Sequence, residues 1–180
     1  MVDACPDLMS DAELVDACRE ISACQLPDGQ FPDRLEVDGT PIYNTEGYPD
    51  FQMPNAETAQ HMVWLAWLAV QRTGDTDLAA ELIPRLVKGL EALPRGERTQ
   101  LIHIPTDVDN FGVVSPFAPG VRMRGDLLAG SLMLVQAYQQ LADIVQHLGR
   151  DGDGDMWRAE AQLVAKRVRM YFWDKNLGLF

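Results

Sequence analysis

Acidic side chains recur in the two stretches of this chain least suited to regular structure. The first stretch, roughly residues 27–54, carries Asp28, Asp33, Glu36, Asp38, Glu46 and Asp50, with Glu57 at the start of the next helical pattern. The second, roughly 94–125, carries Asp107 and Asp109, and Asp126 follows it. Two carboxylates on either side of a glycosidic bond are the minimum for acid and base catalysis on sugars, one protonating the leaving oxygen and the other activating water. Tyr43, Tyr48, Phe51, Phe111 and Phe117 lie in the same stretches and offer flat faces to sugar rings. Arg122 and Arg124 add donors for hydroxyls or a carboxylate. For any single one of these acids, a solvated loop position is the plainer expectation in an acidic protein.

Other chemistry has less to build on. The three histidines, His61, His103 and His147, share no metal-ligand spacing. His61, inside an apolar run, reads as a core residue, and His147 near a helix end suits a solvated position. Asp151-Gly152-Asp153-Gly154-Asp155 looks like the opening of a calcium loop, but Met156 and Gln162 occupy the positions where such a loop needs Gly and Glu. No phosphate-binding, dinucleotide or nucleophile-elbow fingerprint occurs. No cofactor or metal is expected.

The elements that must position these residues are helical. Ser10-Asp11-Ala12-Glu13 has capping-box spacing and opens a helix over about 11–25. Asn55 is placed to cap a second helix, whose run Met62–Val70 is apolar on every face and so must be enclosed. Asp75 or Thr76 caps a third, about 77–93, with a single apolar stripe (Leu82, Ile83, Leu86, Leu90, Leu93) and Pro84 as a kink or fresh start. A short strand fits Leu101–Ile104. A fourth helix spans about 126–148, a turn follows at Gly149–Gly154, and a fifth helix spans about 155–173.

Val70-Gln71-x-x-Gly74 recurs 75 residues later as Val145-Gln146-x-x-Gly149. Buried helix, short turn, amphipathic helix and long loop thus come twice, which describes inner and outer helices with the long loops at one end. Ligands are expected at the long-loop end.

The net charge of −12 over 180 residues disfavours a nucleic-acid partner and an anionic membrane surface. No stretch reaches the roughly 18 apolar residues of a membrane span. Three cysteines (Cys5, Cys18, Cys24) without CxxC spacing, and an N-terminus without basic and apolar signal regions, predict reduced thiols and a cytoplasmic location.

Several segments together resemble the six-hairpin (α/α)6-barrel glycosidases. Gln25-Leu26-Pro27-Asp28-Gly29-Gln30-Phe31-Pro32-Asp33 with Asp38-Gly39-Thr40-Pro41 is similar to the opening of that family. Pro54-Asn55-Ala56 through Thr73-Gly74-Asp75 resembles its first inner helix and closing turn. Leu82-Ile83-Pro84-Arg85-Leu86, Gly125-Asp126-Leu127-Leu128-Ala129-Gly130-Ser131-Leu132 and Phe172-Trp173-Asp174 with Gly178-Leu179-Phe180 follow in the family's order.

The resemblance implies an all-α fold, a partial (α/α)6 toroid of about two to three helical hairpins forming a single domain over 1–180. A closed ring at a 75-residue span takes roughly 350–450 residues, so the chain is expected to be the N-terminal part of the barrel, completed by further chain or by self-association. It also implies hydrolysis of an oligosaccharide or sugar conjugate. Asp107 or Asp109 would be paired with Asp50 or Glu57, in an inverting scheme, and Tyr43, Asn55, Phe111 and Arg124 would contact the carbohydrate. The chain departs from the family pattern at Pro54, where an Asp is usual, and after Gly112, where no acid follows. A toroid sugar epimerase using His61 or His103, and a non-catalytic sugar-binding or helical interaction module, are the alternatives.

Overall fold

The computed structural model describes residues 9–43, 57–104 and 125–180. Among these, α1 (Asp11–Ala23), α2 (Thr58–Thr73), α3 (Thr76–Glu91), α4 (Leu128–His147) and α5 (Asp151–Phe172) carry the architecture. Four two-residue strands make up the rest: β1 (Arg34–Leu35) with β2 (Pro41–Ile42), and β3 (His103–Ile104) with β4 (Gly125–Asp126). The protein is all-α in class, as its periodicity predicts.

α1 opens on the expected capping box. The Glu13 amide donates to Ser10 Oγ at 3.3 Å, and the Ser10 amide donates to Glu13 Oε2 at 2.7 Å. That amide and the Ser10 hydroxyl together hold the Glu13 carboxyl below its ordinary value. Further along, burial pushes the Cys18 thiol up to about 12, so it is an inert core group rather than a nucleophile.

α2 ends at Gly74, whose amide donates to Val70 O at 2.8 Å from a left-handed φ of 67°. Gly149, after α4, sits at φ 70°. The 75-residue spacing in the sequence therefore repeats a structural event: a left-handed glycine that reverses the chain at low steric cost. α2 and α4 lie side by side and run parallel. Gln60 Nε2 donates to Gly130 O (3.2 Å) near both N-termini, Trp67 Nε1 donates to Asp143 Oδ2 (3.3 Å), and His147 Nε2 meets Gly74 O (3.2 Å) near both C-termini. α3 packs across α2 and α4, and α5 packs along α4. The core runs through them as Val63, Ala66 and Val70, then Leu82, Leu86 and Leu90, then Leu134, Leu141 and Ile144, then Val164 and Val168. Each Val, Leu or Ile among them contributes about 1.5–3 kcal/mol on burial.

Several expectations are revised. α2 starts at Thr58 with Glu57 in the cap position, so Asn55, outside the described residues, is not its cap. α3 continues through Pro84 as one helix. α5 begins at Asp151, inside the stretch read as a turn, because Asp151 and Asp153 favour the positive end of a helix. A helical Asp-Gly run cannot wrap a cation as a calcium loop does. Among the described residues no group of three or more His, Cys, Asp or Glu is placed to hold a metal, and no helix is long and apolar enough to cross a membrane. α2 is not enclosed all round: His61 is exposed and Trp64, Leu65 and Trp67 are only half-buried. The apolar run suggested complete burial, but neighbouring helices cover one side of it.

One contact links the core to the first loop. Phe31, fully buried, lies so close to α3 that a Cβ on Gly89 would come within 2.5 Å of its ring. A mid-helix Gly→Ala change normally gains about 0.5–1 kcal/mol. Gly89→Ala is instead expected to lose about 1–3 kcal/mol by overpacking, measured from the urea midpoint. A gain in stability would contradict this packing.

Candidate functional site

The first loop is stitched onto α3 before it reaches any cavity. Gln25 Nε2 donates both to Gly29 O (3.0 Å) and to Arg85 O (2.8 Å), and Arg85 Nη1 donates to Ser22 O (2.8 Å). Gly29, at φ 100°, passes so near the helix that a Cβ would lie 2.7 Å from Lys88 O. No other residue fits there. Asp28 Oδ1 accepts from the Gln30 amide at 3.0 Å, an Asx turn that shapes the bend. The Gln-x-x-Asp-Gly segment thus acts as a fastener, and Asp28 is a turn-forming acid.

Beyond the fastener, β1 and β2 pair antiparallel with Arg34 opposite Ile42 and Leu35 opposite Pro41. At the hairpin tip Asp38 Oδ1 accepts from the Thr40 amide at 3.0 Å, and the bonds from Thr40 keep its carboxyl below the usual value. Glu36 is paired with Arg34 at 3.0 Å. The Tyr43 hydroxyl donates to Cys24 O and ties the last described residue of the loop to the end of α1.

The described loop acids therefore sort themselves. Asp28 and Asp38 make turns, Glu36 pairs with Arg34 on the same arm of the hairpin, and Asp33 and Glu57 line a cavity. That cavity, about 390 Å³, lies between the loop and the N-terminal half of α2. Its floor is apolar (Ile21, Phe31, Pro32, Met62, Leu65), while Asp33, Glu57, His61 and Trp64 supply polar groups and an indole face. The volume falls within the range of about 300–1,000 Å³ typical of small-molecule sites. Asp33 also lies 3.7 Å from the Arg34 guanidinium. Glu57, His61 and Trp64 come from consecutive turns of one helix edge, the i, i+4, i+7 spacing that brings side chains to one face.

A second constellation closes the base of the second loop. β3 and β4 pair with His103 opposite Asp126, and His103 Nδ1 lies 2.7 Å from Asp126 Oδ1. Thr99 Oγ1 donates to the same carboxylate oxygen at 3.1 Å. A carboxylate only accepts, so Nδ1 of the ring carries a proton and Nε2 is the nitrogen left for another partner. The ladder is anchored to α4: the Ile102 amide donates to Ser131 Oγ (3.1 Å), and that hydroxyl donates to Leu127 O (2.6 Å).

Of the residues expected at the site, Glu57 and Tyr43 are placed by the structure. Asp50, Asn55, Asp107, Asp109, Phe111 and Arg124 lie outside the described residues. Trp64 at the cavity and the pairing of Asp126 with His103 are additions to the expected set, in which His61 and His103 stand only under the epimerase alternative. The spacing of Glu57, His61 and Trp64 was a usable signal for the first, and nothing local signalled the second. No family model matches the chain, and no curated protein matches it either.

Nitrogen-detected NMR of the imidazole checks the dyad. His103 is expected to show the Nδ1–H tautomer, and Asp126→Ala should abolish that signature. An unchanged tautomer in Asp126→Ala would break the assignment.

Proposed function

We propose that this protein is a glycoside hydrolase of the six-hairpin kind, acting on an oligosaccharide or sugar conjugate. The observation that carries the reading is the meeting of Asp33 and Glu57 at one cavity with an apolar floor and an indole face. One carboxylic acid would protonate the glycosidic oxygen as its bond to the anomeric carbon breaks. The other carboxylate would take a proton from the water that attacks that carbon, so the products are the leaving alcohol and a sugar with a new reducing end. The parallel pair α2 and α4, each followed by a short reversal into a packed outer helix, supports a partial (α/α)6 toroid as the scaffold. Carbohydrate is the proposed partner, and the unpaired thiols of Cys18 and Cys24 are in keeping with a reducing, cytoplasmic setting.

A second reading rests on the oriented imidazole of His103. Proton removal and return by that base would make the chain a toroid sugar epimerase, which creates no reducing end. Product analysis over a panel of oligosaccharides separates the two.

For the hydrolase reading, Glu57→Gln and Asp33→Asn are each expected to lower kcat by about 100-fold or more while circular dichroism stays unchanged. Asp50→Asn and Asp109→Asn in the same assay test the remaining loop acids. Full turnover in both Glu57→Gln and Asp33→Asn would overturn the pair.

A further inference from the structure

A second, smaller cavity of about 280 Å³ opens between α2 and α4, and it shares His61 and Trp64 with the carboxylate cavity. Its remaining lining is Gln60, Met133, Gln136 and Gln140. Three carboxamides thus stand around one indole. Gln60 is 2% exposed, and its Oε1 is buried with no hydrogen-bond donor among the described residues, although its Nε2 is bonded to Gly130 O. An acceptor left in that state is costly, and native structures seldom keep one without a use.

The chemistry of the lining names its ligand. A carboxamide both donates and accepts, as a sugar hydroxyl does. An indole face is a large apolar surface with a polar edge, suited to the C–H face of a pyranose ring. No Asp, Glu, Lys or Arg is among the described lining residues, so His61 is the one titratable group there and no fixed charge is present to hold a uronate, a phosphate or an amine. Trp64, standing on both cavities, would let one chain of sugar rings continue from one to the other.

We infer that the α2–α4 groove is a subsite for an uncharged pyranose unit, adjoining the carboxylate cavity across His61 and Trp64. The inference rests on the hydrolase reading for its biological use, but binding at the groove is measurable without turnover.

The test uses the full chain with maltotriose, cellotriose and mannotriose as neutral probes and trigalacturonate as the charged one. Binding is followed by calorimetry and by the NMR signals of the Trp64 indole and the glutamine carboxamides. At least one neutral trisaccharide is expected to bind and shift Trp64 and Gln136, with trigalacturonate at least about tenfold weaker. Gln136→Ala and Met133→Ala, both outside the carboxylate cavity, should each weaken that binding by about fivefold or more, whereas Lys166→Ala, exposed on α5 and lining neither cavity, should leave it within about twofold. Saccharide binding without any turnover would keep the subsite and sink the hydrolase reading. Turnover whose KM ignores Gln136→Ala and Met133→Ala would sink the subsite and keep the hydrolase. Failure of all three neutral probes to bind would also overturn the subsite, as would tighter binding of trigalacturonate.

Discussion

The Gln25 carboxamide is the contact on which the site depends. Its one NH2 group bridges the carbonyl of Gly29 in the first loop and the carbonyl of Arg85 in α3. With Gly29 pressed against Lys88 O, this converts a turn-rich segment into part of the helical body. Phe31 then enters the core beside Gly89, and Asp33, two residues further, is delivered to the cavity rim. Loops bear unsatisfied backbone groups and are usually mobile, so a loop that must hold a carboxylate in register needs such an anchor.

The helical body supplies the opposite wall. α2 and α4 are tied at three heights by Gln60, Trp67 and His147, so the two rows of side chains facing the cavities keep a constant offset. α3 and α5 bury the far side of the pair and leave the His61–Trp64 edge uncovered by described residues. The second loop receives the same treatment as the first. The β3–β4 ladder and the His103–Asp126 pair join its two ends, and Ser131 fastens that junction to α4. The described ends of both long loops therefore lie at the same end of the helix pair.

Much of the scaffold was legible from local signals. The Ser10–Glu13 box, the stripe on α3 and the recurrence of Gly74 as Gly149 each encode a local event that the chain carries out. Legibility failed where a local cue had a competing physical outcome. Asp151–Asp155 has turn residues, yet acids at a helix N-terminus are favourable, and the helix won. His61 sits in an apolar run, but burial depends on which neighbours arrive, and they cover only one side of α2. At the site, Glu57 was found from its position beside a loop, whereas Asp33 was one acid among several until hydrogen bonding sorted them. The His103–Asp126 contact spans 23 residues and rests on two-residue strands, too short for any periodicity to mark.

The cavity exists only if the fastened loop holds its place against α3. Hydrogen exchange on Gln25→Leu tests that most directly. The amides of Leu26, Asp33 and Glu36, bonded within the loop in the native chain, are predicted to lose protection, while those inside α2, α4 and α5 keep theirs. Unchanged protection in the loop, or equal loss throughout the helices, would contradict it.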